Sequence, residues 1–361
     1  PWELAYEDFW AMDKSARADH IWQHLFVERT PISEAGRGVV TTLTKLGLDP
    51  NEKTLEPYRQ WCKEQDPGDH VDRVMELAGV DQIVMTNEVF TDAERERWLA
   101  DDSIADDPRF APVLRLDPLL CDWPGAAGRL AEWGYATAAD FSGDTVAEAR
   151  RFLRDWIGRM NPIYVAMSLP PSFKYPAGDG SPVDRVVREI LIPELADHDL
   201  PWAMMIGSQR QVNPALQDAG DMLGKADVQA VVNLCAEFPE NRFLITMLSR
   251  ENQHELCVAA RKFGNLMLFG CWWFLNNPSI IREMTAERLE LLGTSFVPQH
   301  SDARILDQLI YKWNHSRTLI GEVLTEKYVD LADAGWRLSE ADIEADVRRL
   351  LRDNFRSFVG I

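Results

Sequence analysis

Seven short β-type runs, each followed by a run of helical pattern, limit most strongly what this 361-residue chain can fold into. The runs lie at 81–86, 110–116, 163–167, 201–206, 242–247, 266–271 and 295–297. Strands alternating with helices at this spacing predict parallel strands joined by crossover helices. Each run ends abruptly in polar, aromatic or charged side chains. These are Asn87 and Glu88; Arg115 and Asp117; Ser168 and Pro170; Ser208 and Arg210; Ser249, Arg250 and Asn252; Trp272 and Trp273; and the stretch from Gln299 to Arg304. A (β/α)₈ barrel builds its site in this way, from groups at the C-terminal ends of its strands.

The predicted fold class is therefore α/β, a (β/α)₈ barrel with an N-terminal helical insertion or cap and a C-terminal helical extension. Seven runs are one short of a closed ring, and the first strand is expected upstream of Pro1. An open doubly wound sheet is the alternative, but no glycine-rich phosphate turn follows the first recognisable strand. Residues 1–70 read as the cap, with helices at 2–12, 18–26, 39–46 and 54–64. Residues 71–322 form the barrel body and 323–361 the extension. In that tail Ser339 with Asp342 resembles a helix cap, and Ile343, Val347, Leu350, Leu351 and Phe355 fall on one helical face.

Charge narrows the partners. With 58 acidic and 38 basic side chains the formal net charge is −20 at pH 7, so neither nucleic acid nor an anionic membrane is an expected partner. An anionic substrate would depend on a few local arginines. The five cysteines, Cys62, Cys121, Cys235, Cys257 and Cys271, are widely spaced with no CxxC pair, which reads as a reduced, cytoplasmic protein. No apolar run reaches the roughly 18 residues of a membrane helix. Neither a GxSxG elbow nor a P-loop is present.

Side chains two apart on a strand point the same way, so His300, Asp302 and Arg304 would share a face if the extended backbone continued past Val297. An imidazole and a carboxylate there could hold a metal or shuttle a proton, while the guanidinium grips a substrate carboxylate. The alternative is a solvated loop with an Asp302–Arg304 salt bridge. Arg115, Arg210 and Arg250 each follow a different strand; together at one rim they would suit a small anion, and singly each could pair with a neighbour such as Asp117 or Glu251. Trp272 and Trp273 could stack on a sugar or exclude water, with only one of the two expected to face the pocket. His20 and His24 would share a helix face, without the glutamate of an HExxH site. His70, His198, His254 and His315 are expected at the surface or at helix ends.

These residues resemble the uronate isomerases of the amidohydrolase superfamily. The likeness rests on Gly270-Cys271-Trp272-Trp273-Phe274, on Phe296-Val297 with Ser301-Asp302-Ala303-Arg304, and on the closing Asp353-Asn354-Phe355 with Phe358-Val359-Gly360. In chain order, Asp19-His20 is similar to the family's Gly-Asp-His-Tyr, Thr86-Asn87-Glu88 to its Thr-Asp-Asp, and Arg115-Leu116-Asp117 to its Arg-Pro-Asp. Ile206-Gly207-Ser208-Gln209-Arg210 with Asn213 resembles its His-Ile-Gly-Ala-x-Arg-Asn-Asn-Asn, and Leu248-Ser249-Arg250-Glu251-Asn252 its Leu-Asn-Pro-Arg-Asp-Asn. The resemblance implies a barrel with a helical insertion after its first strand and aldose–ketose isomerisation of a hexuronic acid. Asp302, Arg304 and His300 would then be the catalytic group. Arg115, Arg210, Arg250, Trp272, Trp273, Asn87 and His20 would contact substrate.

One divalent metal ion, zinc or manganese, is also implied, on Asp302 with His300 as a further ligand. Against it stand three departures. The family's His-x-His belongs to a strand absent from this chain, Met205 replaces its fifth-strand histidine, and Met167-Ser168-Leu169-Pro170 replaces its Ser-Asp-His-Gly. Ile21 also stands in place of the tyrosine after the insertion's histidine. A weakened or lost metal site is the alternative. A homo-oligomer is expected. The rival functions are a non-catalytic or metal-free relative that binds a small carboxylate, and an amidohydrolase-type hydrolase or decarboxylase.

Overall fold

The computed structural model describes residues 4–361. Six parallel strands form the main sheet: β1 (Ile83–Glu88), β2 (Phe110–Arg115), β3 (Val165–Leu169), β4 (Trp202–Ile206), β7 (Phe243–Met247) and β8 (Leu266–Leu268). They lie in the order β1-β2-β3-β4-β7-β8. Between β4 and β7 a two-residue antiparallel ladder, β5 (Ser208–Gln209) with β6 (Met222–Leu223), ties down the loop that follows β4. The seventh predicted strand, 295–297, shrinks to a bridge between Val297 and Phe269. Val297 donates to the Leu268 carbonyl at 2.9 Å and accepts from Gly270 at 2.7 Å. Pro298 has no N–H with which to continue the ladder. Among the described residues no ladder joins β1 to Val297, so the ring is open there.

Both faces of β2, β3, β4, β7 and β8 are covered, which is why they read as nearly continuous apolar runs, whereas β1 at the open edge leaves Met85 and Thr86 exposed. One set of alternate side chains, among them Val113, Ala166, Ala203, Met205, Leu244 and Phe269, forms the barrel interior. The other set, including Leu114, Met167, Met204, Ile245 and Met247, packs against the outer helices.

The C-terminal extension closes the N-terminal mouth. Val359 joins the interior cluster with Phe355 and Phe358 against it, and Phe355 meets the Tyr164 ring edge-on at 6.2 Å. Asn354 donates to the carbonyls of Thr294 and Phe296, and Arg242 to that of Phe358. Ser339 and Asp342 form a reciprocal capping box at the start of helix Glu340–Arg348. The predicted single apolar face does not persist. Leu350 is buried while Ile343 and Leu351 are exposed, and a π-helical turn at Arg349–Asp353 breaks the α-helical spacing from Leu350 onward.

The cap holds helices Tyr6–Ala11, Lys14–Trp22, Glu34–Lys45 and Glu56–Lys63, close to those predicted. Trp2, where the first was expected to begin, lies outside the described residues. Neither expected seam is a break in the chain: helix Pro67–Ala78 runs through 70/71, and the 26-residue helix Gln308–Asp333 runs through 322/323. This long helix is a strut. His315, expected at the surface, is buried on it, 2.6 Å from the Glu34 carboxylate and 2.9 Å from the Thr41 hydroxyl. Gly38 leaves room for the Tyr311 ring, which an added Cβ would meet at 2.6 Å. Among the described residues no helix is long and apolar enough to cross a membrane.

Candidate active site

Register brings the first charged pair together. Glu88 and Arg115 are opposite one another at the tips of β1 and β2, and their side chains pair at 2.6 Å. Asp117, two residues on, takes the other edge of the same guanidinium through two nitrogens at 3.0 and 2.7 Å. Its carboxylate also accepts the Ser168 N–H at 2.8 Å, which links the tips of β2 and β3. Burial works against the Arg115 charge, but Asp117, Glu88 and Asp302 together hold its pKa above the usual value.

Asp302 is the point on which this end of the barrel converges. Its carboxylate acts electrostatically on Arg115 and Tyr311, whose pKa values are raised, and opposes the larger effect of burial on His300 and Lys312, whose pKa values are lowered. The extended backbone assumed for residues 300–304 does not form. The ladder stops at Val297, and Asp302 adopts φ +47 in the left-handed region, so alternation does not set where these side chains point. His300 packs instead beside Phe269 and Trp272, with ring centroids 5.3 and 6.0 Å away, and its Nδ1 is enclosed without a partner. Burial pushes the His300 pKa down against the opposing pull of Asp302. Arg304 is exposed, and among the described residues its guanidinium makes no ion pair.

The other predicted residues divide. Arg210 pairs with buried Asp221 at 2.6 Å. Despite burial, the Gln211 N–H and Arg210 hold that carboxylate below its ordinary range, with a smaller pull from Arg304. Arg250 does not join them; it pairs with Glu283 of helix Pro278–Leu292 in the outer layer and is 59% exposed. Asn87 lies on the opposite face of β1 from Glu88, and its amide donates to the Met85 and Val113 carbonyls, a strand-bracing role. Trp272 is buried in the interior cluster with Nε1 unpartnered, and Trp273 packs partly buried against the same cluster. The 3₁₀ turn at Trp273–Leu275 removes the alternation on which an opposed pair depended. His20 is held edge-on by Phe9 and His24 in the cap. That cap reaches the strand-tip side through Trp10, which donates to the Ala215 carbonyl at 2.8 Å.

Sequence reasoning placed Glu88 at a strand tip without giving it a role, and left out Asp221 and Lys312. A carboxylate at a strand tip was a visible signal for Glu88. Lys312, within a helix, carried none. Gln299 Oε1, next to His300 in the chain, and Thr246 Oγ1 on β7 are likewise buried and unpartnered. A separate cavity of about 590 Å³, lined by Arg95, Tyr135, Asp155 and Trp156, lies in the outer helix layer away from these tips.

Among the described residues no three His, Cys, Asp or Glu side chains converge on one point. Asp302 and the free Nδ1 of His300 offer two donors, fewer than the three protein ligands of a typical catalytic zinc. Met205 at the β4 position supplies a thioether in the interior cluster. The described donor set therefore does not make a complete metal centre, and no step below is routed through one.

A parallel α/β barrel with charged side chains gathered at the C-terminal ends of its strands defines a class of small-molecule enzyme. No family model and no curated protein matches the chain, but solved structures do. A uronate isomerase from Bacillus halodurans is 52% identical over 99% of this chain and 84% of that one, with a TM-score of 0.95. A glucuronate isomerase from Caulobacter crescentus, 16% identical over 96% and 79% with a TM-score of 0.70, shares the fold. So does a uronate isomerase from Thermotoga maritima, 12% identical over 80% and 69% with a TM-score of 0.63. The chain belongs to the uronate isomerase family and is an isomerase of (β/α)₈ fold.

Proposed function

We propose that this enzyme interconverts the aldose and ketose forms of a hexuronic acid. The observation that carries the reading is Asp302 beside unpaired Arg304 at the tips of a barrel whose relative in Bacillus halodurans is a uronate isomerase. The open-chain uronate would lie across the tips with its carboxylate on Arg304. Arg115 is already held by Glu88 and Asp117, so it would add positive potential at the strand tips and leave Arg304 to take the carboxylate. The Asp302 carboxylate would take the proton from C2, and the C2 hydroxyl proton would pass to the adjacent C1 oxygen, giving a cis-enediolate. The Asp302 carboxylic acid would then return its proton to C1 as the C2 oxygen becomes the ketone. Trp272 and the interior cluster would keep water from the enediol. Five unpaired cysteines, three of them buried, support a cytoplasmic setting.

The test is the conversion of D-glucuronate and D-galacturonate followed by proton NMR in deuterium oxide. Turnover with deuterium entering the ketose is expected. Asp302→Asn should lower kcat by about 10²–10⁴-fold, the usual contribution of a general base. An unaltered rate in that variant, or no turnover of either acid by the parent enzyme, would refute the reading.

A further inference from the structure

Lys312 carries a buried ammonium that makes one hydrogen bond among the described residues. Its side chain is 8% exposed, and Nζ donates to the Asp302 backbone carbonyl at 2.6 Å. Among the described residues it makes no ion pair. Burying an unpaired cation costs free energy that a methionine of similar length would not, so packing alone does not account for a lysine here. What it touches is a backbone held in the left-handed region, φ +47 at Asp302, a conformation that non-glycine residues adopt only under local constraint.

We propose that Lys312 is a positioning residue for the isomerisation: it clamps the Asp302 carbonyl and so fixes where the Asp302 carboxylate stands at the barrel mouth. The lever is rigid at its other end. Lys312 lies near the start of helix Gln308–Asp333, whose Tyr311 packs on Gly38 and whose His315 is held by Glu34 and Thr41. Arg317, one turn further on, donates to the Ala78 carbonyl. The cap helix Glu34–Lys45 and helix Pro67–Ala78 thereby brace the element from which the ammonium reaches the strand tips. Turning the Asp302 peptide would move the carboxylate relative to Arg115 and Arg304, and misplacement of a reacting group by about 1 Å can cost 10²-fold in rate.

This inference rests on Asp302 acting as the base, so its test separates the two. Lys312→Met should fold at least as stably as the parent and lose about 100-fold in kcat, with KM changed by less than about twofold. Lys312→Ala should regain activity with propylammonium, which replaces the missing carbons and charge, and not with 1-propanol. A kcat for Lys312→Met within about twofold of the parent, or equal rescue by the alcohol, would overturn the proposal. Should the parent enzyme turn over no hexuronate, the base assignment fails alone, and a crystal structure of Lys312→Met then decides. Asp302 leaving the left-handed region upholds the clamp, and Asp302 unmoved refutes it.

Discussion

At residue 300 a single ring shows how the turn of the chain sets chemistry. Gly270, at φ +73, brings its backbone against His300 so closely that an added Cβ would stand 2.9 Å from the His300 nitrogen. The imidazole is pressed among Phe269 and Trp272, where burial lowers its pKa below the ordinary 6.5. The sign of the linkage follows. Between the depressed folded pKa and about 6.5 the unfolded chain binds the proton and the folded chain does not, so stability rises with pH through that window and is lost as pH falls through it. His300→Asn should flatten the fall in melting temperature between pH 7 and pH 5 relative to the parent. An equally steep fall in the variant would assign the loss to other groups. The candidate group at 300–304 was visible in sequence because four of its five residues are polar or ionisable and close a strand-like run. Its geometry was not, since a left-handed aspartate has no signature in periodicity and looks like any other strand-end carboxylate.

Among the elements, the C-terminal helix Asn354–Val359 plugs the mouth opposite the site. Its Phe355 ring fills space beneath the interior cluster at the start of β3. Phe355→Ala should cost about 2–3 kcal/mol in a denaturant titration, less than a fully buried phenylalanine because the ring is only partly covered. KM should stay unchanged at temperatures where the variant is folded. A raised KM at full folding would show that this end of the barrel communicates with the strand tips. Most strands were readable because burial on both faces writes an apolar run into the sequence. The last one, 295–297, was not readable at its true length, since Pro298 permits a bridge but no further ladder. Arg250 misled for a similar reason. Its strand end passes at once into the 3₁₀ turn Arg250–Asn252 and helix Gln253–Ala260, which carry the guanidinium out to Glu283.

At the scale of the whole molecule, alternating strands and helices were enough to read the barrel, because few architectures cover both faces of a parallel sheet. Excess negative charge was equally plain in composition, and it has a consequence for catalysis on the proposed reading. A hexuronate anion approaches a surface with 58 acidic and 38 basic side chains. At the strand tips it meets Arg304 and an Arg115 that is only 16% exposed. Raising ionic strength from about 0.01 to 0.15 M shortens the Debye length from about 30 to 8 Å. Repulsion from the distributed surface charge is then largely screened, whereas attraction at contact with partly buried cations is screened much less. The expected outcome is a kcat/KM that rises about threefold over this range, carried by KM with kcat constant. A kcat/KM that falls with salt would mean that the cations at the barrel mouth steer the substrate from farther away than the surrounding carboxylates repel it.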